Sequence, residues 1–383
     1  MVKSDCVKGF RDFIGEDAAR RAKIKSIIEE QFNLYGFEPA ETPIIETEEF
    51  VTGKNNSDDA VRDVYRLKDR AERNLALRYE FTFQLQRLAK NQKLPYKRYQ
   101  IGYNFRDEPI KKGRLRQFIQ CDCDIVGSTI KDEAEILSMA KKTLEKLGIN
   151  PIIYVNSRRL LNEIMVSEKI EERNREQVIR ELDKLDKLTK AEVAFNLKPL
   201  GAEKLLLLFD QGEKYFEKYK YFEDIKNLEK YCQEYGVKIQ FKPTLARGLS
   251  YYNGNIFEIW SKDIQVSIGG GGSYLVDKAQ ACGFSFGLEP ISLISTIEPN
   301  RIKYLIVSID QDKKTIELAQ KLREKNISTQ ILLDKTISKA MEYANNKKIE
   351  NVIFLGENEI KQGKLKVKNL KTGEESLVKE SEL

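Results

Sequence analysis

The sequence of 383 residues contains no histidine. Without an imidazole, the chain cannot form a Ser-His or Cys-His nucleophile pair, a histidine-ligated metal centre or an imidazole general base. Any catalysis must therefore depend on substrate positioning and on charge stabilisation by arginine, lysine and carboxylate side chains, or by a bound metal.

Features typical of secreted and membrane proteins are also scarce. The five cysteines form no Cys-x-x-Cys pair, which favours reduced thiols over disulfides or structural zinc. The longest obvious apolar run, residues 205–209, is far shorter than the ~18 residues that a membrane span needs. The first residues have no apolar segment of the kind found in signal peptides. We expect a cytoplasmic protein that does not interact with membranes.

The common phosphate-binding motifs of nucleotide-binding proteins are missing as well. Residues 268–273 read IGGGGS, and this spacing matches neither a P-loop nor a Rossmann motif. Glycine lets the backbone approach a ligand closely. A run of glycines alone is more often a tight turn, so both interpretations stay open here.

Composition and periodicity predict an α+β protein of two domains. Charged residues make up 33% of the chain and the formal net charge is +6. Strand and helix patterns alternate from residue 304 to residue 355 and a hairpin pattern follows, which predicts an α/β domain over 301–383. That segment has 17 basic and 13 acidic residues, a net charge of +4. Residues 1–300 then form the larger domain, with a mostly helical, charged insertion at about 155–236.

The strongest physical signal is a hairpin over residues 98–126. Its two strands have period-two alternation, so Gln100 and Asn104 share a face with Gln120, Asp122 and Asp124 of the partner strand. Such a polar face is unsuited to a dry core unless its charges are paired. The connecting loop, 107–115, is basic and suits polyphosphate or RNA. The residues predict either a site for a charged small molecule or a solvated sheet face.

Two further segments are ambiguous from chemistry alone. Residues 245–255 place Arg247 before Tyr251 and Tyr252. This suits a phosphate-facing pocket or a hairpin with paired aromatics on opposite strand faces. Cys121 and Cys123 alternate with the aspartates, point to the other face of the strand, and are expected to pack as small apolar groups.

Six segments, spread from residue 8 to residue 289, together match one family pattern. They are KGFRDF (8–13), TPIIE (42–46), FRDE through GRLRQF (105–118), QCDCDIVG (120–127), ARGLSYY (246–252) and GFSFGLE (283–289). The chain thereby resembles class II aminoacyl-tRNA synthetases, and specifically the histidyl-tRNA synthetase family in its archaeal and eukaryotic version. The resemblance implies a catalytic domain on a mostly antiparallel sheet, a helical insertion and a C-terminal α/β anticodon-binding domain.

The resemblance also implies an activity and its partners. The family activates histidine with ATP and Mg²⁺, transfers it to the 3′ end of tRNA(His), and forms a homodimer through the segment around residues 19–46. The metal ligands are not implied. The implied catalytic residues are Arg247 and Arg106; the ATP-binding residues are Arg106, Glu108, Arg114 and Phe118; the histidine-binding residues are Glu80, Thr82, Gln120, Asp124, Tyr251 and Tyr252.

Four positions depart from the family pattern. Pro290 stands where an arginine for the ATP γ-phosphate is usual, Ser250 where aspartate is usual, and Ser273 and Leu275 where Arg-Tyr-Asp usually follows the glycines. Arg114 and neighbouring lysines could replace the missing arginine. The alternative is a paralogue that does not activate an amino acid, such as a regulatory subunit of ATP phosphoribosyltransferase or a tRNA-binding module.

Overall fold

The computed structural model describes residues 4–53 and 59–383. The chain divides into two compact units, Met1–Glu298 and Pro299–Leu383. The predicted α+β fold class is confirmed, because helices and strands occur throughout both units. Among the described residues, none of the helices is long and apolar enough to cross a membrane.

The first unit is built on an eight-stranded sheet. Its strand order is β1-β5-β6-β11-β10-β9-β7-β8, and every neighbouring pair is antiparallel except β1 with β5 and β7 with β8. Strands β2, β4 and β3 form a second, small sheet. The strands are β1 Glu38–Pro39, β2 Ile45–Thr47, β3 Arg66–Lys68, β4 Asn74–Leu77, β5 Tyr96–Phe105, β6 Gln117–Val126, β7 Ile152–Ser157, β8 Gln240–Phe241, β9 Tyr252–Ser261, β10 Ile264–Val276 and β11 Ala279–Gly287.

Helices cover this sheet and close its core. Their ends follow the local sequence: Thr129 and Asp132 form a capping box before α5, and Gly148, with φ of +74°, follows its last turn. The helices are α1 Gly15–Leu34, α2 Glu48–Thr52, α3 Asp59–Arg62, α4 Thr82–Ala89, α5 Ile130–Lys146, α6 Arg158–Ser167, α7 Glu172–Leu182, α8 Lys190–Leu197, α9 Leu205–Leu208, α10 Phe222–Glu234 and α11 Leu288–Ile294.

The predicted hairpin is confirmed as β5 and β6. Arg98 lies opposite Asp124, Gln100 opposite Asp122, and Gly102 opposite Gln120. The polar residues therefore share one face, as the alternation predicts. Cys121 and Cys123 are fully buried on the other face, where they pack in the apolar core as expected.

The helices of the segment at about 155–236 begin at Arg158, after Ser157, whose side chain accepts a hydrogen bond from the Leu160 amide. Residues 152–157 form β7, which pairs with β9 inside the main sheet, so the helices follow directly from that sheet. Buried side chains of α6, α7 and α10 belong to the same apolar cluster as the sheet and α5. The helices share one continuous core with the sheet because their apolar faces pack directly on it.

The glycine run does not form a turn. Gly269–Gly272 lie within β10 and pair with β9 on one side and β11 on the other. A side chain on Gly271 would place its Cβ 2.0 Å from the carbonyl oxygen of Gly283. Because these glycines have no side chains, β9, β10 and β11 can pack closely together, and so can the side chain of a neighbouring arginine that is described below.

A buried ion pair holds the end of β6 in place. Arg21 of α1 contacts Glu289 of α11 at 2.8 Å, and the second carboxylate oxygen of Glu289 accepts a hydrogen bond from the Ile119 amide at 3.0 Å. β11 pairs with β6 only from Gln120 onward. Glu289 therefore satisfies a backbone donor just beyond the ladder.

The second unit has the predicted strand–helix alternation. Its five-stranded sheet has the order β13-β12-β14-β15-β16, parallel among the first three strands and antiparallel in the terminal hairpin. The sequence patterns missed one short helix, α14. The elements are β12 Tyr304–Ser308, α12 Asp312–Glu324, β13 Thr329–Leu332, α13 Ile337–Asn346, β14 Asn351–Leu355, α14 Glu357–Gln362, β15 Leu365–Asn369 and β16 Glu375–Val378.

Candidate active site

A cavity of about 810 Å³ opens over the polar face of the main sheet. Its volume falls within the range that small-molecule sites commonly have. The structure brings together every residue that the sequence predicts for the site, although they come from elements far apart in the chain. These lining residues are Glu80, Thr82, Arg106, Glu108, Arg114, Phe118, Gln120, Asp124, Arg247, Tyr251 and Tyr252.

One end of the cavity is formed by Asp124, and its carboxylate is held from two sides. Arg98, which is fully buried, approaches one oxygen at 2.7 Å, and the Tyr274 hydroxyl donates a hydrogen bond to the other. Burial raises the pKa of Asp124, and the positive charge of Arg98 opposes that rise. Gly283 faces this carboxylate, and a Cβ there would lie 2.1 Å from Oδ1. Asp124 is therefore a fixed hydrogen-bond acceptor.

Asp124 also supports the fold, which predicts a stability effect. In an Asp124→Ala variant the buried Arg98 would have no carboxylate partner, and we expect the free energy of unfolding to fall by about 3 kcal/mol. Chemical denaturation measures this loss. The double variant Arg98→Met, Asp124→Leu should recover most of the stability, because it removes both charges. A single variant within about 1 kcal/mol of the native protein would contradict the prediction.

Next to Asp124, Glu80, Thr82 and Tyr251 form a second cluster. The Tyr251 hydroxyl donates to Glu80 at 3.2 Å and lies 3.5 Å from the Thr82 hydroxyl. Burial, and then the charge of Glu80, raise the pKa of Tyr251 well above its usual range, so the phenol stays protonated. A carboxylate and two hydroxyls suit a cationic amine.

The expectation that Tyr251 and Tyr252 face opposite sides of a strand is wrong. Tyr251 lies in a turn just before β9, so strand alternation does not apply to it. Both side chains line the cavity, and their ring centroids are 4.7 Å apart. The pair thereby forms one wall of the cavity near Asp124.

The middle of the cavity floor is a row of polar side chains on β6. Gln120 accepts a hydrogen bond from Asn104 and donates one to Ser285, both at 2.8 Å. Asp122 accepts a hydrogen bond from the Ser285 hydroxyl. These contacts fix the direction of the Gln120 amide, because its oxygen and nitrogen each have a defined partner.

Arg106 and Phe118 form the other end of the cavity. Arg106 follows β5, and its Nε donates to the Tyr79 carbonyl oxygen at 3.0 Å. The guanidinium carbon lies 5.2 Å from the centroid of the Phe118 ring. An anchored cation beside a partly exposed aromatic ring suits a planar ligand that carries phosphate.

Arg114, from the loop after β5, lies above this end. It approaches Glu108 at 3.9 Å and Asp186 at 3.7 Å. Asp186 belongs to the helical segment after α7, so the loop and that segment meet at the cavity mouth. Both distances are long for ion pairs, and the side chains are about one-quarter exposed. These contacts contribute little to stability and leave Arg114 able to contact a ligand.

Arg247 completes the wall between the two ends. Its Nη1 lies 2.9 Å from Glu258, and Arg158 donates to its backbone oxygen at 3.2 Å. A Cβ on Gly270 would lie 2.2 Å from Nη1, so the guanidinium occupies space that the glycine leaves open. Burial raises the pKa of nearby Asp183 to about 6, although the charge of Arg247 opposes this rise.

Sequence patterns missed several residues that shape the site. Asp183 and Tyr274 carry no signal because their partners lie far away in the chain. Glu258 is only 11 residues from its partner Arg247, but no local pattern marks it. Arg98 could have been found, since the hairpin places it on the same face as Asp124. Within residues 4–53 and 59–383, no group of three cysteine or carboxylate residues could hold a metal ion.

The two units each match a known protein family. The family described as Histidyl-tRNA synthetase matches residues 9–291, and the family described as Anticodon binding domain matches residues 303–383. The fold and cavity are thus those of an aminoacyl-tRNA synthetase with an appended anticodon-binding unit. The chain belongs to the histidyl-tRNA synthetase family.

Individual relatives agree with this assignment. The chain is 33% identical over 418 residues to "Histidine--tRNA ligase 1" of Bacillus cereus, which covers 98% of this chain and 95% of the relative. The crystal structure of histidyl-tRNA synthetase from Nostoc sp. PCC 7120 superimposes with a TM-score of 0.85 at 23% identity, over 99% of this chain and 97% of that one.

A second solved structure shares the fold. It is described as an ATP phosphoribosyltransferase regulatory subunit/histidyl-tRNA synthetase from Bacillus halodurans C. It superimposes with a TM-score of 0.77 at 21% identity, over 92% of this chain and 98% of that one. At this identity both structures establish the shared fold.

Proposed function

We propose that this protein is a histidine--tRNA ligase, which activates histidine with ATP and transfers it to the 3′ end of tRNA(His). One observation carries the proposal: Arg106 and Arg247 flank the same cavity as Asp124 and Tyr252. Groups for a phosphate and groups for an imidazole therefore converge where an amino acid and a nucleotide can meet.

In the first step, an oxygen of the histidine carboxylate attacks the α-phosphorus of ATP. A carboxylate–phosphorus bond forms, the bond to the β-phosphate bridge breaks, and pyrophosphate leaves. Negative charge builds up on the α-phosphate oxygens, where Arg106 and Arg247 stabilise it. This step needs no general base, because the carboxylate is already ionised at neutral pH. A chain without histidine can therefore perform it.

The end of the cavity near Asp124 selects histidine over other amino acids. Asp124 accepts a hydrogen bond from one imidazole nitrogen and so fixes the ring tautomer, and Tyr252 contacts the other side of the ring. A site built for both ring nitrogens penalises analogues that lack one of them. Glu80, Thr82, Gln120 and Tyr251 then hold the amino group and the rest of the substrate.

ATP fits the end near Phe118. Phe118 offers a ring for the adenine, Arg106 the α-phosphate contact, and Arg114 a contact to the outer phosphates. Mg²⁺ usually binds through substrate phosphates with one or two carboxylates and several waters. Glu108, beside Arg114, is a carboxylate of this end that can contribute.

The remaining steps involve tRNA and a second subunit. We infer that residues 303–383 bind the anticodon, supported by the net charge of +4 over 301–383 and the family match. We infer a homodimer through the segment around residues 19–46, which the family resemblance implies. A monomeric mass in solution would contradict the dimer.

The alternative is a paralogue that does not activate histidine, and Pro290 is the observation in its favour. Of the four departures from the family pattern, Pro290 lines the cavity, whereas Ser250, Ser273 and Leu275 do not. Ser273 instead donates to Glu133 on the opposite face of the sheet. Three departures thus lie outside the reaction site, which favours an active enzyme.

Pyrophosphate exchange with each amino acid in turn distinguishes these functions. Exchange that depends on histidine supports the ligase, and charging of tRNA(His) completes the test. Exchange with no amino acid, together with intact tRNA binding, would support a tRNA-binding module. Absence of both would favour a regulatory paralogue.

Pro290 itself provides a prediction. It lies in the first turn of α11, where proline is tolerated, and 3.4 Å from the place where a Gly113 Cβ would be. We expect Pro290→Arg to lower the KM for ATP in pyrophosphate exchange about threefold or more, since a new charged contact to phosphate is gained. Pro290→Gln, which adds length without charge, is the control. An equal effect of both variants would contradict a charge contact.

A further inference from the structure

Asp122 lies in the cavity floor between two residues that the proposed function uses. It follows Gln120 and precedes Asp124 on the same face of β6, and it lies opposite Gln100 of β5 and Ser285 of β11. Its side chain is buried but lines the cavity. It is thus placed beneath the substrate, between the imidazole end and the nucleotide end.

Among the residues that the structure describes, no cation forms an ion pair with the Asp122 carboxylate. Its hydrogen-bond donors are neutral: the Ser285 hydroxyl and, at 3.4 Å, the Gln120 amide. Arg98 on β5 approaches Asp124 instead, at 2.7 Å. Arg78, after β4, also acts on Asp122 electrostatically, but its guanidinium donates to the backbone oxygens of Tyr103 and Thr42 at 2.8 and 2.7 Å.

Burial of this carboxylate has a measurable consequence. It raises the pKa of Asp122 to about 7; Arg98 opposes the rise, while the negative charges of Asp124 and Glu80 add to it. Tyr274 of β10, like Tyr251, stays protonated, because burial and the charge of Asp124 raise its pKa well above the usual range. Near neutral pH the acid and ionised forms of Asp122 are thus balanced.

We propose that Asp122 is a further ligand of the amino-acid substrate: its ionised carboxylate binds the α-ammonium group, and histidine binding releases its proton to solvent. The inference rests on the proposed function. Asp122 is about 7 Å closer than Asp124 to the Phe118 end of β6, since alternate strand residues have that spacing. The ammonium group of the substrate must lie toward that end. It shares a carbon atom with the substrate carboxylate, which attacks the α-phosphorus of ATP.

The proposal fixes the direction of a pH effect. A bound cation favours the ionised carboxylate, so it lowers the pKa of Asp122 and expels the proton. Histidine affinity should therefore fall as the pH decreases through about 7, where Asp122 becomes protonated in the free enzyme. The imidazole of the ligand also titrates near 6.5, so the test needs a ligand that keeps the imidazole and lacks the ammonium.

Imidazolelactate, in which a hydroxyl replaces the ammonium, is that ligand. Calorimetric titration at pH 7 in two buffers of different ionisation enthalpy gives the affinity and the number of protons released. With the native protein we expect histidine to release roughly half a proton more than imidazolelactate does. Asp122→Asn should abolish this difference and weaken histidine binding about tenfold or more, while imidazolelactate binding changes less than about threefold.

Glu133→Gln is the matched control. Burial also raises the pKa of Glu133 to about 7, but its carboxylate is bonded to Asn255 and Ser273 and does not line the cavity. This variant should keep the proton release of the native protein.

If Asp122→Asn does not fold, Ser285→Ala is the second variant. It removes a donor to the ionised carboxylate, so the fall in histidine affinity should begin at a higher pH.

The outcomes separate the inference from the proposed function. Proton release that persists in Asp122→Asn, or an equal loss of both ligands, would overturn the role of Asp122 while leaving the ligase intact. A Ser285→Ala profile unchanged from that of the native protein would do the same. Failure of the native protein to bind histidine at all would instead overturn the proposed function, and this inference with it.

Discussion

Replacement of Arg247 with alanine is expected to lower the rate of histidyl-adenylate formation by about 10²- to 10³-fold. Its guanidinium is held at 2.9 Å by Glu258, and the proposed function places it where phosphate charge develops. An interaction made mainly in the transition state affects the rate more than ground-state binding. The dissociation constant of histidine should therefore change by less than about threefold.

Single-turnover kinetics and calorimetry measure these two quantities separately. Arg159→Ala is the matched control, because Arg159 is paired with Asp224 at 3.0 Å, is half exposed and does not line the cavity. That variant should retain the native rate. Parallel losses in rate and in histidine affinity for Arg247→Ala would show that Arg247 binds the ground state, and would contradict its assignment.

Gly270→Ala should impair the enzyme almost as severely, although it adds one methyl group. The new Cβ would lie 2.2 Å from Nη1 of Arg247 and 3.2 Å from the backbone oxygen of Phe257. The arginine is the part that can move, so it must leave its place beside Glu258. We expect the rate of adenylate formation to fall by about 10²-fold or more, while the melting temperature changes by only a few degrees.

A double variant tests the reason for this loss. If Gly270→Ala acts by displacing Arg247, then adding it to Arg247→Ala should cause little further loss in rate. Gly212→Ala is the control, since no heavy atom of the described residues, apart from the two chain neighbours, lies within 4 Å of a Cβ at that position. If the rate losses of the two single variants instead multiply in the double variant, the methyl group impairs the site in a way that does not involve Arg247.

Local sequence patterns predicted the parts of the site that depend on neighbours along the chain. The alternation over 98–126 gave the hairpin and its polar face, because side-chain direction in a strand has a period of two. Strand alternation predicts opposite faces for Tyr251 and Tyr252, and this is wrong because Tyr251 lies in a turn before β9; no local pattern marks the first residue of that strand. The glycine run was ambiguous because glycine suits both a tight turn and a closely packed strand.

Contacts between distant segments could not be predicted in this way. Asp183 and Glu258 both act on Arg247 electrostatically, yet Asp183 lies in the helical segment, 64 residues earlier in the chain. Their meeting depends on how that segment packs against the sheet, which periodicity does not specify. The family resemblance supplied Arg247 itself, but neither Glu258, which pairs with it, nor Asp183.

The bare backbone of Gly269–Gly272 also limits how the enzyme could be redesigned. The main chain of Gly269, Gly270 and Gly271 lines the cavity and has no rotamers to change, and Cβ atoms at the four positions would lie 2.0–2.6 Å from neighbouring atoms. In directed evolution toward another amino acid, substitutions in this part of β10 would therefore not be tolerated. Altered specificity would have to come from the parts of the cavity that carry side chains, such as β6 and the Tyr251–Tyr252 wall, which the proposed function places against the substrate.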